Sequence, residues 1–82
     1  MKRILFVDDE PEILDGLRTM LRKRREQWQM EFVESGAAAI AEMEKQPFDL
    51  ICSDMRMPQM DGAQLLSIAA ERWPESVRIV LS

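Results

Sequence analysis

The chain has 82 residues, enough for one small domain with little core to spare, so any missing element would be felt. With no histidine and one cysteine it argues against a zinc or haem site and excludes an internal disulfide, and a formal net charge of −4 gives no general reason to expect direct nucleic-acid binding. No apolar stretch approaches the ~20 residues of a membrane span, and the acids Asp8, Asp9 and Glu10 interrupt the N-terminal apolar run too early for a secretory signal, so a cytoplasmic protein with no membrane partner is expected.

Residues 3–7 form a short apolar run of the buried-strand type, closed by Asp8 and Asp9. Pro11 suits a first helical turn, with Glu10 and Glu12 near the positive end of that helix. Ile13, Leu14, Leu17, Met20 and Leu21 recur at helical spacing and predict one apolar face, while Arg18, Arg22 and Arg25 fall on another. The run Arg22-Lys23-Arg24-Arg25 complements the negative helix end and reads as a solvated face in preference to a partner patch.

Met30 and Phe32 alternate with Glu31 and predict a second strand over residues 29–33. Ser35 is the expected cap of a helix over 36–45, with Ile40 and Met43 facing inward and Pro47 ending it. Phe48 to Ser53 read as a third strand, followed by the loop from Asp54 to Met60. Cys52 in that strand is expected to be a buried, inert thiol. Asp61 then caps a helix, Gln64 occupies the reciprocal capping position, and Met60 can staple onto Leu65. Leu65, Leu66, Ile68 and Ala69 supply the buried side of this helix, and Trp73-Pro74 closes it. Val77, Ile79, Val80 and Leu81 make a fourth strand ending at Ser82. The βαβαβαβ order predicts an α/β fold with a parallel sheet and right-handed crossover helices.

Ligands of open parallel sheets bind beyond the carboxyl ends of the strands. Asp8, Asp9, Asp54 and Ser82 all fall at such ends, from three different strands. Singly, each has a plain structural explanation: a helix start for Asp9, a solvated loop for Asp8, a turn for Asp54, a chance chain end for Ser82. Their coincidence is what points to a site. Three carboxylates in one cleft repel one another and call for a cation. An all-oxygen cluster with room for water suits Mg²⁺. A carboxylate beside that ion can attack a phosphoryl group and hold it as an acyl phosphate, which reads as a phosphorylation switch.

On these residues the chain resembles the receiver domain of two-component response regulators. The segments that carry the resemblance are Ile4 to Glu10, Asp49 to Pro58, Met60-Asp61-Gly62 and Val77 to Ser82, and it spans essentially the whole sequence. The resemblance implies a flavodoxin-like sheet with helices on both faces. It implies Asp54 as acceptor of a phosphoryl group from a histidine kinase or phosphotransfer protein. It implies Mg²⁺ held by Asp8, Asp9, Asp54 and the backbone carbonyl of Arg56, and Ser82 as a switch hydroxyl. Such a module is not a conventional enzyme: it assists its own phosphotransfer and dephosphorylation and drives an effector domain in the parent protein.

The chain departs from the family at its end. A receiver has a fifth strand followed by a lysine, whereas lysines stand here only at positions 2, 23 and 45. Residues 1–82 are therefore expected to be the four-strand portion of a receiver, truncated after the fourth strand. The apolar edge of that strand would invite a homodimer. Two other classes compete. A non-switching, structural or dimerising fragment would keep the fold without the chemistry. A phosphatase of the haloacid-dehalogenase type would need a second acid where Arg56 stands. Dinucleotide binding lacks a glycine-rich loop after the first strand.

Overall fold

The computed structural model describes residues 1–81, so Ser82, the expected switch hydroxyl, lies outside the described residues. Four strands, β1 (Lys2–Val7), β2 (Trp28–Val33), β3 (Leu50–Asp54) and β4 (Val77–Leu81), alternate with three helices, α1 (Pro11–Met20), α2 (Gly36–Lys45) and α3 (Gly62–Arg72). All pairings are parallel and the spatial order is β2-β1-β3-β4. This is the flavodoxin-like arrangement, in which β1 sits inside and β2 closes one edge.

The helix ends follow local chemistry. Ser35 Oγ accepts the Ala38 N–H at 3.0 Å, as its cap position predicts. Asp61 and Gln64 form the reciprocal capping box, with Gln64 N–H donating to Asp61 Oδ1 at 2.8 Å. Glu10 precedes α1 without a side-chain cap, and Pro11 opens the helix where no N–H is needed. The basic run does not continue α1: Leu21 leaves helical geometry, and Arg22–Arg24 tighten into a 3₁₀ turn.

The third strand is shifted from its expected bounds of 48–53. Phe48 is buried as a core plug ahead of the strand. Asp49 acts as a staple: its carboxylate accepts the Arg3 N–H at 2.8 Å, its own N–H donates to Arg3 O, and its carbonyl accepts from Val77. Asp54 joins the strand end, level with Leu81 of β4.

Two core clusters lie on opposite faces of the sheet. Under α2 and α3 pack Leu5, Val7, Ala39, Met43, Phe48, Ile51, Met57, Leu65 and Ala69. Under α1 pack Ile4, Phe6, Leu14 and Cys52. The apolar stripe of α1 is narrower than its spacing predicts. Leu14 is buried and Leu17 and Leu21 are half-buried, but Ile13 and Met20 are 46% and 76% exposed. Arg18, on the flank away from Ile13, stacks over Phe32 of β2 at 4.7 Å, so that flank of α1 lies against β2.

Candidate functional site

Register brings the acids together. Val7 pairs with Ser53 across β1 and β3, so the residues that follow, Asp8 and Asp54, emerge side by side at the carboxyl edge. Carboxylate oxygens of Asp8, Asp9 and Asp54 all lie within 4.8 Å of one another. The expected convergence of these three residues is observed.

Their environments differ. Asp8 is buried, and Asp9 and Asp54 are half-buried. The Asp8 main chain is tied to β2 by its N–H, which donates to Val33 O at 3.1 Å. Its side chain folds back to accept the Glu10 N–H at 2.9 Å, and this turn leads the chain into α1. Burial pushes the Asp8 carboxyl above its ordinary range; the Glu10 N–H opposes this, and the charges of Asp54 and Asp9 add to the rise. The ion pairs among the described residues join Arg18 to Asp15, Lys45 to Glu42 and Arg72 to Glu44, and none reaches the three acids.

The loop after Asp54 is built around features that local patterning does not reveal. Met57 is buried in the core under α2 and α3, which anchors the middle of the loop. Gln59 sits in the left-handed region at φ 69°, in a three-residue turn where Met60 N–H donates to Pro58 O. Nothing in the chemistry of glutamine announces that geometry. Met60 is half-buried against the cluster that contains Leu65 and packs on Gly36, where any side chain would collide with its sulfur. The start of α3 is pressed against the end of β3. A Cβ at Gly62 would collide with the Asp54 carbonyl and the Met55 Cα, and Gly62 N–H donates to Met55 O at 2.8 Å. The glycine of the Met60-Asp61-Gly62 segment is therefore required for close approach.

Arg56 is exposed, and among the described residues its carbonyl accepts no hydrogen bond. Cys52 is buried one residue before Ser53, and burial raises its thiol, consistent with an inert core residue.

The donor set fits a hard divalent cation. It consists of oxygens alone, it carries uncompensated negative charge, and one of its members is buried where an isolated carboxylate is costly. A carboxylate at the end of a central strand, flanked by two others, can hold an ion and present an oxygen to an incoming electrophile.

Comparison with known proteins gives one consistent answer. The family model described as response regulator receiver domain matches residues 4–82. The chain is 42% identical over 79 residues to the hydrogenase transcriptional regulatory protein HoxA of Cupriavidus necator, covering 96% of this chain and 16% of that protein. Among solved structures it is similar to the signal receiver domain of an HD domain-containing protein from Pseudomonas fluorescens Pf-5, with a TM-score of 0.91 and 29% identity, over 96% of this chain and 62% of that one. It is also similar to the response regulator TrrA of Thermotoga maritima, solved with Mg²⁺ and BeF, with a TM-score of 0.87 and 30% identity over 98% of this chain and 68% of that chain. TrrA has also been solved in complex with the histidine kinase ThkA, again at 30% identity and a TM-score of 0.88, over 100% of this chain and 69% of that one. The chain thus spans a minor part of HoxA and about two thirds of these structural neighbours.

Proposed function

The chain belongs to the response regulator receiver domain family, whose members are phosphorylated by histidine kinases in two-component signalling, and on that premise we propose that Asp54 is its phosphoacceptor. Residues 1–82 are read as the four-strand portion of such a receiver, working in the cytoplasm and coupled to an effector domain of the parent protein. The observation that carries the reading is the meeting of Asp8, Asp9 and Asp54 within 4.8 Å at the carboxyl edge.

In the proposed reaction an Asp54 carboxylate oxygen attacks the phosphorus of a phosphohistidine on the partner. The new O–P bond forms as the N–P bond breaks, and the imidazole nitrogen keeps the electron pair and takes a proton. Asp8, Asp9, Asp54 and the Arg56 carbonyl would hold Mg²⁺. When bound, such an ion would supply positive charge to offset the acids' repulsion and the charge on the phosphoryl oxygens. Asp8 and Asp9 keep the acceptor in a strongly anionic pocket, and the Gly62 contact holds the end of β3 in place. The phosphoryl group adds charge and strong acceptors that the Ser82 hydroxyl would follow by donating a hydrogen bond. Water later displaces the Asp54 carboxylate from phosphorus and releases inorganic phosphate, and in this reading the module assists its own phosphotransfer and dephosphorylation without being a conventional enzyme.

The test is labelling with a small phosphodonor in the presence of Mg²⁺. Asp54→Asn should abolish the label while leaving the unfolding midpoint close to that of the parent. Undiminished label on the Asn variant would reject Asp54. A second reading, a non-switching fragment that pairs with a second copy, rests on β4, an edge strand whose Val77, Ile79 and Val80 are all exposed. Sedimentation that shifts with concentration, in protein that takes no label, would favour it.

A further inference from the structure

Away from the acids, at the other edge of the sheet, lies a basic groove of about 590 Å³. One wall carries Arg18, Arg22 and Arg25, and the other is the length of β2 from Trp28 to Phe32. We propose that this groove docks an extended acidic segment of a partner protein, which adds to β2 as a further strand.

The main chain of β2 supports the pairing. Val33 O accepts from Asp8 N–H, so alternation along the strand turns Glu31 and Gln29 toward β1 and turns Phe32, Met30 and Trp28 outward. β2 ends the sheet, and the outward N–H and C=O groups of those three residues have no partner among the described residues. An incoming strand would satisfy them.

The charges select the strand. Arg22 and Arg25 have no carboxylate partner among the described residues, and Arg18 has an exposed one in Asp15. Arg18 lies on the α1 side of the sheet, stacked over Phe32, and Arg22 and Arg25 line the same groove. Side chains of an added strand alternate between faces, so acids at every second position would meet the arginines. The intervening positions would lie on the side of Glu31, which disfavours a run of acids and favours neutral residues between them. Nucleic acid fits less well. Glu31 repels phosphates, and the aromatic faces that bases would stack on are capped, Phe32 by Arg18 at 4.7 Å and Trp28 by Arg24 at 5.8 Å.

The probe is a short blocked peptide alternating glutamate with threonine, titrated into the chain while amide shifts are followed. The expected result is a saturable shift of Trp28, Met30, Phe32 and the Arg18–Arg25 segment, with Asp9 and Met55 silent. Arg22→Glu with Arg25→Glu should weaken binding by at least about tenfold, and Arg22→Gln with Arg25→Gln by about fivefold, without moving the unfolding midpoint. The lysine–threonine counterpart should not saturate. Absence of a saturable shift would overturn the proposal and leave the arginines as charges that guard an edge strand against pairing. So would equal binding by both double variants and the parent, or tighter binding of oligothymidylate than of the peptide.

Discussion

The sheet is covered on one face by two helices and on the other by one, and the same kind of apolar residue fares differently on each. Under α2 and α3, Leu5, Val7, Ala39, Ile51, Leu65 and Ala69 are all at 0% exposure. On the α1 face, Ile13, Val77 and Ile79 remain 46%, 59% and 41% exposed, and on the two-helix face such exposure is confined to the β4 edge, where Val80 is 41% exposed. A helix with its side chains is about 10 Å across, whereas four strands at roughly 4.8 Å spacing span more than that. One helix therefore cannot cover the face, and α1 lies toward β2, leaving Val77 and Ile79 of β4 open on that side, as Val80 is on the other. An apolar stripe records a capacity for burial, and the neighbours decide how much of it is used.

The sharpest test of this contrast compares matched truncations. Leu65→Ala should cost about 3 kcal/mol, because a fully enclosed side chain leaves a cavity. Ile13→Ala should cost less than about 1 kcal/mol, since much of that side chain is already in water. Denaturant unfolding of both variants checks the pair, and equal losses would break the contrast between the faces.

Gly62→Val tests whether the closed face also holds the site. The added atoms collide with the Asp54 carbonyl and Met55 backbone, which cannot move without dragging the end of β3. A loss of about 2 kcal/mol is expected, with slower phosphodonor labelling at Asp54. Normal labelling and stability would mean that α3 can step away from the strand freely.

Asp8 gives a smaller effect of opposite sign. Its folded carboxyl is raised above the ordinary 3.8, by burial first and then by Asp54 and Asp9, against the lowering effect of the Glu10 N–H. Between that value and the raised one, the native state holds more protons than the unfolded state. Stability should therefore fall as pH rises through this window and stay reduced above it. Asp8→Asn keeps an oxygen for the Glu10 N–H and removes the buried charge. It should stabilise the metal-free chain by about 1 kcal/mol near neutral pH and flatten the acid-side slope. Thermal melts across pH, with and without Mg²⁺, are the measurement; an unchanged slope would show that other carboxyls govern that range.

The smallest effect is expected at the open edge. Ile79→Thr should change stability by less than about 0.5 kcal/mol, because the side chain is substantially exposed. If β4 pairs with a second copy, the same substitution should reduce concentration-dependent sedimentation. A large loss of stability in dilute monomer would mean that the α1 face is better closed than Ile79 indicates.

Much of the molecule was legible in the chain itself. Alternating apolar runs and helical stripes specified four strands and three helices, because each depends on residues within a turn or two. Ser35 and the Asp61–Gln64 pair marked helix starts for the same reason: a cap bonds to an N–H three residues away. The candidate site was legible because acids at the carboxyl ends of neighbouring parallel strands are brought to one edge, and Asp8, Asp9 and Asp54 are. What remained depended on residues distant in sequence. The placement of Asp49 as a staple between β1 and β4, the burial of Met57, the fit of Gly62 against Asp54 and the shift of α1 toward β2 all require partners that meet only after the sheet has formed. Local pattern chooses the element and its ends. Register and cover come from long-range packing, and these decided how deeply Asp8 is buried, how the loop after Asp54 runs and which apolar residues of α1 and β4 stay in water.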